Sequence, residues 1–244
     1  MFLALREIRY NKARYTLIGA IIFLIAYVVF ILSGLSVGLA SQFKQAVLDW
    51  KAEKVVLSTS SNNIISASQI TSDDLSNIHV ENGSELSLFS TSMRKSKSER
   101  DNIAIIALPD KSKIMPEVLE GKKFTDTHLE MIISKKLANQ GYKIGQEVSV
   151  GNNNIKIKIV GISKSSSYSA SPVIYTSFSA LNQIKFGEKS TSTSSVNAVV
   201  VKSGKVKIDS SISNQYKVIS ISDLINDIPG YSAQNMTLSA MIYF

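Results

Sequence analysis

TLIGAIIFLIAYVVFILSGLSVGLA, residues 16–40, carries no charged side chain. At about 1.5 Å per residue it makes a helix near 37 Å long, enough to cross a hydrocarbon core of about 30 Å with some tilt. Arg6, Arg9, Lys12 and Arg14 stand in front of it against one acid, Glu7. Positive charge stays on the cytoplasmic side of a membrane, so the N-terminus is expected inside and the chain after Ala40 outside. A cleaved signal peptide is the alternative, with Gly38 and Ala40 at the cleavage point; its apolar core is usually only about 7–15 residues. Gly34 and Gly38, with Ser33 beside them, have the small-xxx-small spacing of a helix-packing face.

Working outward, residues 1–15 read as a cytoplasmic or interfacial amphipathic helix, with Phe2, Leu3, Leu5 and Ile8 opposite Arg6, Arg9 and Lys12. Residues 41–53 keep a helical pattern through Phe43, Val47, Leu48 and Trp50, and are expected to continue the membrane helix as a stalk with Trp50 and Lys51 near the interface. At the far end, residues 229–244 become steadily more apolar through Met236, Leu238, Met241, Ile242 and Phe244. This reads as the start of a second membrane helix, with the remaining helices absent from the chain; a free apolar tail is the alternative.

Between these ends, residues 54–228 make an outer domain of mixed elements. Residues 54–58 read as a strand, and 70–75 as a capped helix start. Residues 85–93 and 102–108 read as paired strands around a charged tip holding Arg94, Lys95, Lys97 and Arg100. Residues 115–121 read as a turn or short helix before a break, 130–134 as a strand, and 135–140 as a helix closed by Gly141. Residues 145–150 form a strand, and Ile155, Ile157 and Ile159 alternate with Lys156 and Lys158 in a half-buried strand broken by Gly161. The serine-rich stretch 163–171 reads as a mobile loop. Strands at 173–175 and 198–201 and helices at 178–184 and 223–228 follow. With no regular βαβ alternation, the fold class is an α+β extracytoplasmic domain on transmembrane α-helices, one complete and a second begun.

The 244 residues carry a formal charge of +8 and no cysteine. Thiolate metal sites are excluded, and an outward-facing domain without disulfides suits a Gram-positive-type surface. His79 and His128 lie in unrelated contexts, so no metal site is expected. No serine sits in a G-x-S-x-G elbow and there is no Walker phosphate loop, so no catalytic residue is proposed. The basic tip lacks the interleaved aromatic residues of nucleic-acid binding and reads as solvated, or as a contact for anionic lipid or wall polymer.

The layout, with Met1-Phe2-Leu3-Ala4-Leu5-Arg6-Glu7-Ile8 at its start, resembles the FtsX/MacB-type permease subunits of ABC transporters. Leu129-Glu130-Met131-Ile132-Ile133-Ser134 leading to Gly145-Gln146-Glu147-Val148, and the strand ending in Val160-Gly161-Ile162, carry the same resemblance. Gly34-Leu35-Ser36-Val37-Gly38-Leu39 and Gly230-Tyr231-Ser232-Ala233-Gln234 resemble the haem-exporter-like subgroup. The resemblance implies a homodimer in the cell membrane, among lipid, driven by a separate cytoplasmic ATPase that binds the ATP. It implies mechanotransmission, ATP-driven closure below being carried by stiff helices to the outer domain; no proline interrupts the lever from 16 to 50. Haem, as substrate rather than bound cofactor, would enter sideways at the outer leaflet, with Phe43, Asp49, Tyr168 and Tyr231 as candidate contacts. A peptide antibiotic or lipid is an alternative substrate. An FtsX-like regulator of a cell-wall hydrolase and a single-pass anchored sensor or binding protein are alternative functions.

Overall fold

The structure is a computed structural model, and describes residues 7, 9–94, 99–187, 195–231 and 236. The first element, α1 (Lys12–Asp49), is one unbroken helix of 38 residues, about 57 Å long. Its lower part is exposed on every side from Leu17 to Leu32, with Ser36 the first buried residue along it, as expected of a segment whose solvent is lipid. Its upper part is different: Ala46 and Val47 are fully buried and Trp50, just past its end, is 2% exposed. The helix therefore does not stop at a membrane surface but is driven into the outer domain.

The domain is built from β1 (Lys54–Ser58), β2 (Ile70–Thr71), α2 (Ser72–Leu75), β3 (Ile78–Val80), β4 (Gly83–Arg94), β5 (Arg100–Ala107), β6 (Val118–Gly121) and β7 (Glu130–Ser134). There follow α3 (Lys135–Asn139), β8 (Glu147–Val150), β9 (Ile155–Ser163), β10 (Ser167–Tyr168), β11 (Ser171–Thr176), α4 (Phe178–Phe186), β12 (Ser195–Val196), β13 (Ala198–Val201), β14 (Val206–Ile208), β15 (Tyr216–Ser220) and α5 (Ile221–Asn226). The mixture confirms the α+β class.

Strand pairing closes a ring, β4-β5-β11-β7-β9-β8 and back to β4, and β4 also hands on to β13, β1 and β15. Two pairs in the ring, β5–β11 and β7–β9, are parallel. The two faces of β5 explain its unbroken apolar run. Ile103, Ile105 and Ala107 join a core with Met131, Ile133, Ile157 and Ile174. Ala104, Ile106 and Leu108 join a second core, which holds Val47 and Trp50 of the helix end.

Local capping follows the sequence. The Thr71 side chain accepts from the Asp74 amide and that of Ser220 from the Asp223 amide, which satisfies helix donors that otherwise lack partners. Gly141 closes α3 at φ 104.

Four expectations are corrected. Residues 118–121 form a strand, not a turn, because β6 lies antiparallel on β9 with Gly121 opposite Gly161. Gly161 does not break β9; a Cβ there would sit 2.5 Å from the Lys122 carbonyl oxygen, so glycine admits the neighbouring strand. The stretch 163–171 is not a loose loop: Ser163, Ser166, Ser167 and Tyr168 are buried. Trp50 lies in the domain core and not at a membrane interface, because the chain turns at Lys51, whose φ is 50°. Of the expected helix at 1–15, residues 1–6 and 8 lie outside the described residues and Lys12–Tyr15 belong to α1; the second membrane helix after 229 lies mostly outside the described residues, as do Lys95 and Lys97 of the basic tip.

Candidate functional site

Phe43, Asp49, Tyr168 and Tyr231 come together around the upper third of α1. The hairpin β10–β11 holds them there. Its two-residue turn, Ser169-Ala170, has positive φ at both positions, 47° and 65°, the geometry that suits a tight hairpin. The turn faces the helix: the Ser169 amide donates to the Phe43 carbonyl at 3.1 Å and the Ala170 amide to the Gln42 carbonyl at 3.3 Å. The Ser169 hydroxyl donates to the Pro229 carbonyl at 3.1 Å. One turn thus ties the first helix to the segment that follows α5.

Each candidate has a partner in this knot. The Phe43 ring packs against Gly230, where a Cβ would approach it to 2.7 Å. Tyr231 is buried, and Lys44 donates to its hydroxyl oxygen at 3.1 Å. Asp49 accepts from Gln45 at 2.9 Å and from the Ser166 hydroxyl at 2.9 Å. Tyr168 is buried, and burial pushes its phenol above the ordinary range. Tyr175, fully enclosed nearby, is pushed the same way by burial, with the Asp49 charge adding to it and a Ser166 hydrogen bond opposing it.

Below the knot, on the open side of the helix, Gly38, Ser41, Gln42, Gln45, Lys136 and Ser167 line a polar groove. Lys136 reaches across to the Gln42 side chain at 3.1 Å. The groove begins at Gly38, near the upper end of the apolar run, and presents amide, hydroxyl and ammonium donors.

The sequence offers Phe43, Asp49, Tyr168 and Tyr231 as candidates but does not announce what holds them in the structure, namely Lys44, Ser166 and the Ser169-Ala170 turn. The serines carried the only signal, and their number made it read as looseness. The histidines lie elsewhere: His79 faces Asp209 at 3.7 Å on the surface, and His128 bonds Thr127 at 2.8 Å. Among the described residues no group of three or more His, Asp or Glu is placed to hold a metal ion.

No family model matches the sequence. The putative hemin transport system permease protein HrtB of Staphylococcus haemolyticus (strain JCSC1435) is 27% identical over 245 residues, covering 99% of this chain and 67% of that protein. The protein of the same name in Staphylococcus epidermidis (strain ATCC 12228 / FDA PCI 1200) is 27% identical over 258 residues, with 99% and 67% covered. The chain thus spans about two thirds of the length of these relatives. Among solved structures, the extracellular domain of the noncanonic ABC-type transporter YknZ from Gram-positive bacteria aligns with TM-score 0.45 and 16% identity, over 69% of this chain and 98% of that one. The periplasmic region of MacB from Actinobacillus actinomycetemcomitans aligns with TM-score 0.48 and 9% identity, over 73% and 93%. The sequence matches bear out the resemblance to FtsX/MacB-type permeases of the HrtB-like kind.

Proposed function

We propose that this FtsX/MacB-type permease chain forms the first membrane lever and the outer domain of an ABC exporter that takes an amphipathic molecule from the outer leaflet, haem being the favoured cargo. A separate cytoplasmic ATPase drives it, and two copies of the permease pair in the cell membrane of a Gram-positive-type bacterium. The N-termini lie inside and the outer domains outside.

One observation carries the reading: the helix that is exposed like a membrane span at its base is buried in the domain core at its top, without a break between. A stiff rod anchored at both ends passes displacement from one to the other. The polar groove beside Gly38, Ser41 and Gln45 lies where a molecule leaving the bilayer would enter. Haem is favoured by the relatives' names, which call them hemin transport permeases, and by the aromatic and carboxylate groups gathered above the groove.

The test is a haem titration of the full-length permease in detergent, followed by absorbance, beside Tyr231→Phe and Asp49→Asn. A saturable Soret shift weakened in either variant supports haem and places it at the knot. A folded, dimeric permease with no shift removes haem. A peptide or lipid exporter, or an FtsX-like regulator of a cell-wall hydrolase, then becomes the better reading.

A further inference from the structure

A second cleft, of about 190 Å³, opens at the top of α1 on the far side of Asp49. Lys51, Lys113, Lys164 and Lys202 stand on its rim with Asp49 and Glu117. Two of the four lysines are already engaged, Lys164 with Glu117 at 2.5 Å and Lys113 with the Asn82 side chain at 2.5 Å. The ammonium groups of Lys51 and Lys202 have no hydrogen bond or ion pair among the described residues. With Glu117 neutralised by Lys164, the rim keeps an excess of positive charge. The carbonyl end of a helix is itself partly negative, so attraction for an anion here comes from the lysines.

Trp50 lines the same cleft. It is 2% exposed, and its indole Nε1 is buried with no hydrogen-bond partner. An indole N–H can only donate, and native proteins rarely leave such a group without an acceptor. The residue that carries this unpaired donor shares the cleft with two lysines that have no hydrogen bond among the described residues.

Height separates this cleft from the bilayer. Asp49 lies nine residues beyond the apolar run, about 14 Å higher along the helix. The headgroup layer extends only about 5–7 Å beyond the hydrocarbon. A phosphate in the bilayer plane falls short.

We propose that this cleft binds the carboxylate or phosphate of an anionic small molecule held above the bilayer, with Lys51 and Lys202 taking its charge and Trp50 donating to it. The site shares Asp49 and Ser166 with the knot but none of the groove's lining, and its binding does not depend on the ATPase or on haem.

Trp50 is the only tryptophan in the chain, so its emission reports on the cleft directly. The full chain, in nanodiscs of phosphatidylcholine, is titrated with hexyl phosphate, hexanoate, inorganic phosphate and, as a neutral control, hexanol. A saturable change with an anion and none with hexanol is expected. It should weaken at least tenfold in Lys51→Gln/Lys202→Gln and persist in Lys51→Arg/Lys202→Arg. Lys156→Gln, on the wet face of β9, should titrate like the parent. An equal response to inorganic phosphate and hexyl phosphate supports the site and assigns recognition to the anion alone. No saturable change, or the same curve in the Lys51→Gln/Lys202→Gln variant, overturns the proposal. So does a response that appears only when phosphatidylglycerol is built into the disc.

Discussion

The backbone amide of Ser169 donates to the backbone carbonyl of Phe43 at 3.1 Å, so the hairpin tip grips the main chain of the long helix and not a side chain. Replacing Phe43 or Gln42 leaves that contact in place. Only a change in the turn itself, or in the course of the helix, removes it.

The turn is therefore the place to alter stability. Ser169 and Ala170 both hold left-handed φ, which costs a residue with a Cβ about 1–2 kcal/mol. Glycine at position 170 relieves that strain there, partly offset by its greater freedom in the unfolded chain. Ala170→Gly, which leaves the Ser169 hydroxyl on the Pro229 carbonyl, should stabilise the protein by about 0.5–1 kcal/mol. Ala170→Pro, which has the wrong φ and no amide for Gln42, should destabilise it by about 3 kcal/mol. Thermal unfolding followed by Trp50 emission checks both, and an unaffected Ala170→Pro variant would mean that the tip does not hold the helix.

Glu130 is buried at the start of β7, where its carboxylate accepts from Lys122 at 3.0 Å and from the Thr125 amide at 3.2 Å. Burial pushes its pKa up, but the Lys122 hydrogen bond and charge and the Thr125 bonds outweigh it, leaving the group below its ordinary 4.5. A carboxyl with a depressed folded pKa contributes stability above its unfolded pKa, and loses it as the pH falls through the folded value. Glu130→Gln should cost about 1–2 kcal/mol at pH 7. The gap to the parent should close as the pH drops from 4.5 through the lower folded value. Urea unfolding at a series of pH values measures this, and a gap that does not change with pH would show that the carboxylate charge is irrelevant.

Gly161 marks a close approach of backbones. A Cβ there would meet the Lys122 carbonyl at 2.5 Å and Val118 Cγ1 at 3.2 Å. Gly161→Ala should force β6 away from β9 at a cost of about 1–3 kcal/mol. Gly141→Ala, in open space but at φ 104, should suffer only from its backbone angle. If urea unfolding finds Gly161→Ala as stable as the parent, β6 is not seated as described.

How far the sequence announces all this depends on how local the cause is. The uncharged run 16–40, the alternation of Ile155, Ile157 and Ile159 against two lysines, and the caps at Thr71 and Gly141 are local, and each reads directly. Gly161 reads as a break because a glycine in a strand looks the same whether it ends the strand or makes room for a neighbour. The hairpin at Ser169-Ala170 lacks the Asn-Gly signal of its turn type, since helix bonds from its amides hold it instead. The knot's four aromatic and acidic members read as candidates in the sequence, but not their partners: Lys44 on Tyr231 and Ser166 on Asp49 join positions 187 and 117 residues apart. The lysine cleft is wholly non-local, drawing Lys51, Lys113, Lys164 and Lys202 from four separate segments.

The central claim is that α1 passes motion from the membrane to the outer domain as a rigid rod. The chain has no native cysteine, so a single spin label can be placed at Glu53→Cys, just above the helix. The distance between the two labels of a full-length permease dimer, bound to its ATPase, is then measured by pulsed electron resonance with and without a non-hydrolysable ATP analogue. The account predicts that nucleotide shifts the distance distribution, and that Ser41→Pro abolishes the shift while Trp50 emission stays that of the folded domain. A distribution indifferent to nucleotide in the parent, or a full response in Ser41→Pro, would contradict it.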